Sequence, residues 1–450
     1  MAPAPVHPDP LGRLQGLCLW GRALAFDLGT SRAVSSLSAA LLDALYRIVR
    51  LTGNREKALR VAMLAHRLSL RVQLSAAPTA LQDRIEQRLR ASLATGAFSH
   101  LARPPADSDF SGELERRAMV LKVPRLAGDG RVTERGVFLI TFTHLFGELA
   151  HQVDVAQLTR EYTLVLEPSW SGYAIPEILQ FAETAVTPVF VMATEPRDFA
   201  FLERFDPQLV PLPFGASNWV DPEVFRPTPG WHRVFDAGYI GFWGAVKRHH
   251  ALFRAMRRLG DPTYRVALIG GPWEGTRHEV AALARLYGVL PQLTFFEKLT
   301  PEEVSEVIGQ CKVSLLLSRK EGSNRGLFES MFAGTPALLI RENLGVRKDY
   351  LTEETGRIVP ERELASALRW FRDHGGDFEP RPWAMANISP TATTAALNEA
   401  LRKHAAARGE DWTVDCVRKA NRPEVTYLNG DDRRRLPSVA AILSQYARLA

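Results

Sequence analysis

The chain has 450 residues, 24% of them charged and 46% hydrophobic, with a formal net charge of +6. Such a composition supplies apolar residues for roughly two or three domains and excludes general disorder. Its 56 basic and 50 acidic residues are too evenly balanced for a nucleic-acid binder, while the small positive excess suits an anionic ligand or an acidic membrane surface.

The first ten residues, MAPAPVHPDP, carry no basic segment ahead of an apolar run. No stretch reaches the roughly 18 uninterrupted apolar residues of a membrane span. Cys18, Cys311 and Cys416 are isolated thiols without the spacing of a zinc site or disulfide framework. A cytoplasmic protein, soluble or membrane-peripheral, is expected. Residues 35–51, 55–74 and 79–94 have helical apolar spacing and are rich in Ala, Leu and Arg, so segment 1–108 reads as a helical N-terminal extension. Within it, residues 57–73 set Arg60, His66, Arg67 and Arg71 among leucines and alanines. That pattern fits a membrane-surface helix, or a helix packed on its neighbour with a solvated basic face. Residues 103–111, with Pro104 and Pro105, read as a linker.

From about Val137 short apolar runs alternate with helical segments. Strands are expected at 137–142, 162–167 and 187–193, with helices at 175–184 and 196–204. A second set of strands is expected at 233–241, 264–271, 293–299, 312–318 and 335–340, with helices at 249–259, 277–287 and 301–310. This is the signature of α/β architecture with two Rossmann-like, doubly wound domains facing a cleft. The first spans 109–230 and the second 231–378, meeting near the Pro/Gly-rich residues 226–230, a hinge candidate. Residues 379–450, with a helix at 391–407 and a charged run at 431–435, are expected to pack back across both halves. Ligands of such sheets bind beyond the carboxyl ends of the strands.

Several residues of the second half fall at such ends. Lys247 follows Gly241 at the start of a helix, where a cation can reach a diphosphate. Gly270 and Gly271 allow a close backbone approach to a ligand, and Pro272 turns the chain away. Near Phe296 and Glu297 backbone groups can read a nucleobase edge. The segment SRKEGSNRGLFESMFAGTPAL, residues 318–338, then sets Glu321 and Glu329 eight positions apart around a Gly-containing turn that opens a helix. Backbone N–H groups there favour a phosphate, and the two carboxylates suit the hydroxyls of a polyol. Taken alone the pair also fits a buried turn with two salt-bridged glutamates.

Together these residues resemble the donor domain of retaining GT-B glycosyltransferases, glycosyltransferase family 4. The likeness covers residues 233–360, including GRIVP at 356–360, and extends weakly to 210–227. It implies a GT-B fold and transfer from a nucleotide-diphosphate sugar, UDP or GDP, with no metal and no cofactor beyond that co-substrate. It also implies roles. Glu329 would bind the ribose, Glu321 would lie against the transferred sugar, and Lys247 would neutralise the leaving diphosphate. Gly322, Ser323, Asn324 and Arg325 would present the turn to the phosphate or the sugar. Catalysis would rest on positioning and electrostatic stabilisation.

Two departures stand out. Phe242 occupies the position after Gly241 where the family commonly has Arg, leaving Arg325 and Arg248 as candidates for a second diphosphate cation. The turn reads Glu-Gly-Ser-Asn where the family usually has Glu-Gly-Phe-Gly. The acceptor half is less legible. His144, at a strand end, is expected to face the cleft and contact the donor sugar or acceptor hydroxyl, or else to be structural. His151, Glu148 and Glu195 are weaker candidates, and residues 167–173 offer two aromatics as a sugar platform. The expected activity is hexosyl transfer to a glycan, a lipid-linked acceptor or a small-molecule hydroxyl, with peripheral membrane contact and no nucleic acid. A sugar-nucleotide epimerase or hydrolase, or a non-catalytic scaffold, are the alternatives.

Overall fold

The computed structural model describes residues 10–72, 77–104, 111–228, 230, 232–422 and 424–448. The first nine residues, most of the linker read at 103–111 and Pro229 of the hinge candidate lie outside them. The chain opens with helices α1 (Pro10–Gly29), α2 (Arg32–Leu51), α3 (Arg55–Ser69) and α4 (Ala80–Leu93). The last three start where the sequence provides a cap: Ser31, Asn54 and Thr79 each accept a hydrogen bond from the first turn, and Gln82 completes a capping box. Helix α1 has no counterpart in the sequence reading, because Gly12, Gly16, Gly21 and Gly29 lower its propensity and its apolar residues show no clean one-sided period. It lies on the helix Arg277–Tyr287, with Gly16 facing the Ala282 backbone.

Helix α3 is no membrane-surface helix in this fold. Its Leu59, Ala62 and Met63 are buried with Ile85 and Leu89 of α4 in one core with Phe138, Ile140 and Leu164. Exposed apolar surface lies instead on α2, where Leu37, Leu41 and Ile48 are each about 60% exposed. Among the described residues no helix is long and apolar enough to cross a membrane.

The first sheet contains β1 (Ala118–Lys122), β4 (Gly136–Thr141), β5 (Tyr162–Glu167), β6 (Val189–Met192) and β7 (Leu209–Leu212), in the order β1-β4-β5-β6-β7; β2 (Arg125–Leu126) and β3 (Val132–Glu134) form a separate ribbon. Strand β1 runs antiparallel and the other four are mutually parallel. Both faces of β4 and β5 are covered. Phe138, Ile140 and Leu164 meet the N-terminal helices, while Leu139 and Val165 meet Leu397 and Leu401 of the helix Pro390–Ala407.

The second sheet is entirely parallel: β8 (Ala237–Ile240), β9 (Val266–Gly270), β10 (Leu293–Glu297), β11 (Ser314–Leu316), β12 (Ala337–Ile340) and β13 (Gly356–Val359). Its order is β10-β9-β8-β11-β12-β13. The chain therefore leaves β8 outward through β9 and β10, then returns to β11 on the other side of β8. That reversal makes the ends of β8 and β11 a topological switch point.

The last segment contributes to both units. Ala384 and Ile388, in and just after the helix Pro380–Asn387, join the second core; Leu397, Leu401, Ile442 and Tyr446 join cores of the first. A small ribbon, β14 (Lys419–Asn421) with β15 (Val425–Tyr427), brings Lys419 to the end of β5.

Candidate active site

A crevice at a switch point is lined by the loops that diverge from it. After β8 the chain turns at Gly241 and delivers Lys247; after β11 it delivers Ser318 to Glu321. The Lys247 ammonium donates to Glu321 Oε1 at 2.6 Å, and the Ser318 hydroxyl donates to the same oxygen at 2.6 Å. Both charged residues are almost fully buried. The Lys247 side chain packs on Gly241, where any Cβ would press on its methylenes, and the Phe242 ring centre lies 5.1 Å from its ammonium. Phe242 thus supports the existing cation where the resemblance led one to look for a second.

Arg248 does not supply that second cation. It adopts a left-handed conformation (φ 54°) that turns its side chain beneath the loop, where it is fully buried. Its guanidinium donates to both oxygens of Asp27 at 2.7 Å, to Glu361 and to the Leu317 carbonyl. Burial works against the Asp27 carboxylate, but hydrogen bonds from Arg248 and His250 outweigh it and hold its pKa far below the ordinary carboxylate range. The arginine is a clamp between α1 and the second unit.

Arg325 is likewise occupied. It pairs with Glu329 at 3.0 Å and donates to the Arg422 carbonyl at 2.9 Å. Glu329 is buried one turn into the helix Arg325–Phe332, whose N-cap is Asn324, accepting from Leu327 N at 2.9 Å. Asn324 is therefore spent on the helix end. Ser323 reaches the other unit, accepting from Ser217 N at 2.8 Å and bonding its hydroxyl at 2.7 Å. Gly322 touches the other unit too: a Cβ there would overlap the Ser169 carbonyl. Gly270 is needed for the same reason within the second unit, since a Cβ would overlap the Gly241 carbonyl, whereas Gly271 faces open space. The Phe296 ring packs edge-on against Phe235 at 5.9 Å, so its side chain belongs to a small apolar cluster and only backbone is left at that strand end.

The first unit meets these loops along a continuous seam. Ser171 donates from its hydroxyl to the Glu321 carbonyl at 2.7 Å, Thr194 donates to the Gly345 carbonyl at 2.8 Å, and Gly345 N donates to Glu195 at 2.8 Å. Glu195 is thereby a structural bridge. Gly345 (φ 105°) is confined to glycine, and a Cβ there would also overlap the Glu321 carbonyl. His144 lies at the mouth of the first sheet, just after Phe142, which holds a positive φ of 67° at the end of β4. Its side chain is 45% exposed, and Nε2 lies 3.3 Å from Glu113. Glu148 bonds Gln152 on the same helix, and His151 is exposed beyond it. Trp170 is 45% exposed, whereas Tyr173 is buried, donating to the Met192 carbonyl.

Residues not anticipated from the sequence complete this side. Glu167, ending β5, is neutralised by Lys419 at 2.7 Å and bonded by Asn421 at 3.0 Å. Burial pushes Lys419 down to about 8. Asp198 accepts from Gly172 N and Tyr173 N at 2.7 and 2.9 Å and so shapes the loop after β5; burial raises its pKa to about 7. Lys419 is remote from the cleft in sequence, and no motif around it marks it as buried. Among the described residues, no three or more His, Cys, Asp or Glu are grouped to hold a metal.

Residues 233–374 match the sequence model of the family described as glycosyl transferases group 1. No curated protein sequence matches the chain. Among solved structures, sucrose-phosphate synthase from Thermosynechococcus elongatus is similar at 17% identity and a TM-score of 0.48, over 60% of this chain and 74% of that one. TarM is similar at 14% identity and a TM-score of 0.47, over 59% of this chain and 54% of that one. HepE of Anabaena, in complex with UDP, is similar at 15% identity and a TM-score of 0.46, over 59% of this chain and 78% of that one.

Proposed function

We propose that the protein is a retaining, metal-independent glycosyltransferase of family 4 that moves a hexosyl group from a UDP- or GDP-sugar to a hydroxyl of a glycan, a lipid-linked or a small-molecule acceptor. The observation that carries this reading is the buried Lys247–Glu321 pair at the switch point, with Glu329 on the helix behind it. All three lie inside the stretch that matches the glycosyltransferase group 1 model. In this reading residues 231–378 hold the donor and 109–230 face the acceptor, from a cytoplasmic setting.

Lys247 lies where charge develops on the departing diphosphate, and its fixed ammonium stabilises that charge without reorganisation. Its bond and that of Ser318 both fall on Glu321 Oε1. Oε2 is left to accept from a hydroxyl of the transferred sugar, which fixes the anomeric carbon for same-face attack. Glu329 exchanges Arg325 for the ribose hydroxyls when the nucleotide enters. The turn at Gly322 and Ser323 offers backbone donors at the helix start, and Gly241, Gly270, Gly271 and the backbone at Phe296 frame the nucleotide. His144 contacts the donor sugar or the acceptor hydroxyl. Peripheral membrane contact belongs to the same proposal; the exposed apolar row on α2 supports it, and flotation of the full chain with anionic vesicles tests it.

The activity is tested by incubating the protein with a panel of UDP- and GDP-hexoses and resolving the products by NMR. Retention predicts a product with the anomeric configuration of the donor. Free sugar or an epimer without transfer would reject the reading.

A further inference from the structure

Beside the Lys247–Glu321 pair lies a cavity of about 700 Å³ in which, Trp170 of the 167–173 loop apart, no residue has been given a substrate role above. It sits over the ends of β11 and β12, on the opposite side of the pair from Gly270 and Phe296 at the ends of β9 and β10. Three parts of the molecule wall it. The helical region contributes Arg32 and Arg71, the first unit Trp170 and Arg197, and the second unit Arg319, Lys320, Arg341 and Lys348. Seven cations therefore face one space with a single carboxylate, Glu342, among its lining residues.

Most of this charge is uncompensated. Arg197 pairs with Glu195 at 3.4 Å and Arg319 with Glu361 at 3.2 Å, but the other five cations make no ion pair among the described residues. Among the described residues, Arg71 and Lys348 donate to the Gly29 and Arg341 carbonyls rather than to a carboxylate. Burial, reinforced by Arg71 and Arg67 and opposed by Asp198, drives Lys320 down to about 8; Lys348 and Arg71 are also lowered by burial. Like charges gathered and desolvated in this way are costly unless an anion enters. Half-exposed Trp170 adds a flat apolar surface of the kind on which a sugar ring stacks.

We propose that this cavity is the acceptor subsite, and that the acceptor is a saccharide or polyol carrying phosphate groups. The inference rests on the glycosyltransferase reading for the word acceptor, and on the cavity alone for the anion. Lys320 directly precedes Glu321 and Val246, another lining residue, directly precedes Lys247, so a ligand held here presents its hydroxyls to the reacting centre. The N-terminal helices are then part of the substrate site, since Arg32 and Arg71 close its outer wall.

The test is calorimetry with the full chain, using inorganic pyrophosphate as probe in the presence and absence of saturating UDP. With UDP saturating the donor crevice, pyrophosphate should still bind one site. The double variant Lys320→Met, Arg341→Gln should weaken it about tenfold or more while leaving UDP affinity within about twofold. A hexose phosphate should displace pyrophosphate, and the unphosphorylated hexose should not; a polyprenyl phosphate in detergent that displaces it equally well identifies the lipid-linked source of the same chemistry. The double variant should melt no lower than the parent, because it removes repelling charges, so a loss of binding is not a loss of fold. Absence of pyrophosphate binding, its abolition by UDP, or equal weakening of both ligands would overturn the proposal. Pyrophosphate binding that depends on Lys320, in a protein that binds neither UDP nor GDP, would sustain the anion site and reject the glycosyltransferase reading.

Discussion

At the scale of single residues, the proposed site is a small set of buried carboxylates and cations held by the groups each one touches. Glu321 is held by Lys247 and Ser318 through one oxygen; under the proposed function its other oxygen takes a substrate hydroxyl, so Glu321→Gln should lower kcat about a hundredfold with little change in nucleotide affinity. Steady-state kinetics alongside UDP titration reads both quantities. Lys320 gives a pH signature. Burial pushes its pKa down to about 8 from the 10.5 of a free lysine, so between these values the unfolded chain binds more protons and stability rises with pH. Chemical denaturation from pH 8 to 10.5 should show that slope, and Lys320→Met should remove it. Glu321 and Glu329 stood out in the sequence because their spacing around a turn is local, and Lys247 because it follows a strand-ending glycine at a helix start. The burial of Arg248 was not, because it depends on a left-handed residue and on Asp27, more than two hundred positions away.

At the scale of elements, strands buried on both faces announced themselves as apolar runs, and helices with caps and a one-sided apolar period did likewise. What escaped were elements defined by their neighbours. Strand β7 contains Pro211, tolerated because β7 is a sheet edge; β1 is a five-residue antiparallel edge. Helix α1 is held from outside by helix packing at Gly16 and by the Asp27–Arg248–His250 cluster. Asp27→Asn leaves a fully buried guanidinium short of one of its two carboxylates and should cost about 3 kcal/mol, measured by denaturant unfolding. The Asp27 carboxylate, with its depressed pKa, contributes stability above the unfolded value and loses it as pH falls, so the variant and the parent should converge in strong acid. Leu89→Ala, in the α4 face that covers the first sheet, should cost about 2–5 kcal/mol by the same method.

At the scale of the whole molecule, the two sheets and their cleft were readable from alternation alone, while the seam between them was not. Backbone groups make much of it: the carbonyls of Glu321 and Gly345 and the N–H of Gly345 accept or donate across the units, and Gly322 lies against Ser169. Side-chain patterns cannot encode such contacts. Gly322→Ala should hold the units apart at the reacting centre and lower kcat/KM about tenfold to a hundredfold with the thermal midpoint nearly unchanged, because each unit keeps its own core. Under the proposed function the crevice between β8 and β11 receives a nucleoside diphosphate with its ribose on Glu329. Calorimetric titration of UDP and of GDP into the parent and into Glu329→Ala tests it most directly. Saturable binding of one nucleotide to the parent and a loss of about tenfold or more in the variant are expected; no binding of either nucleotide, or equal affinity in both proteins, would overturn the assignment.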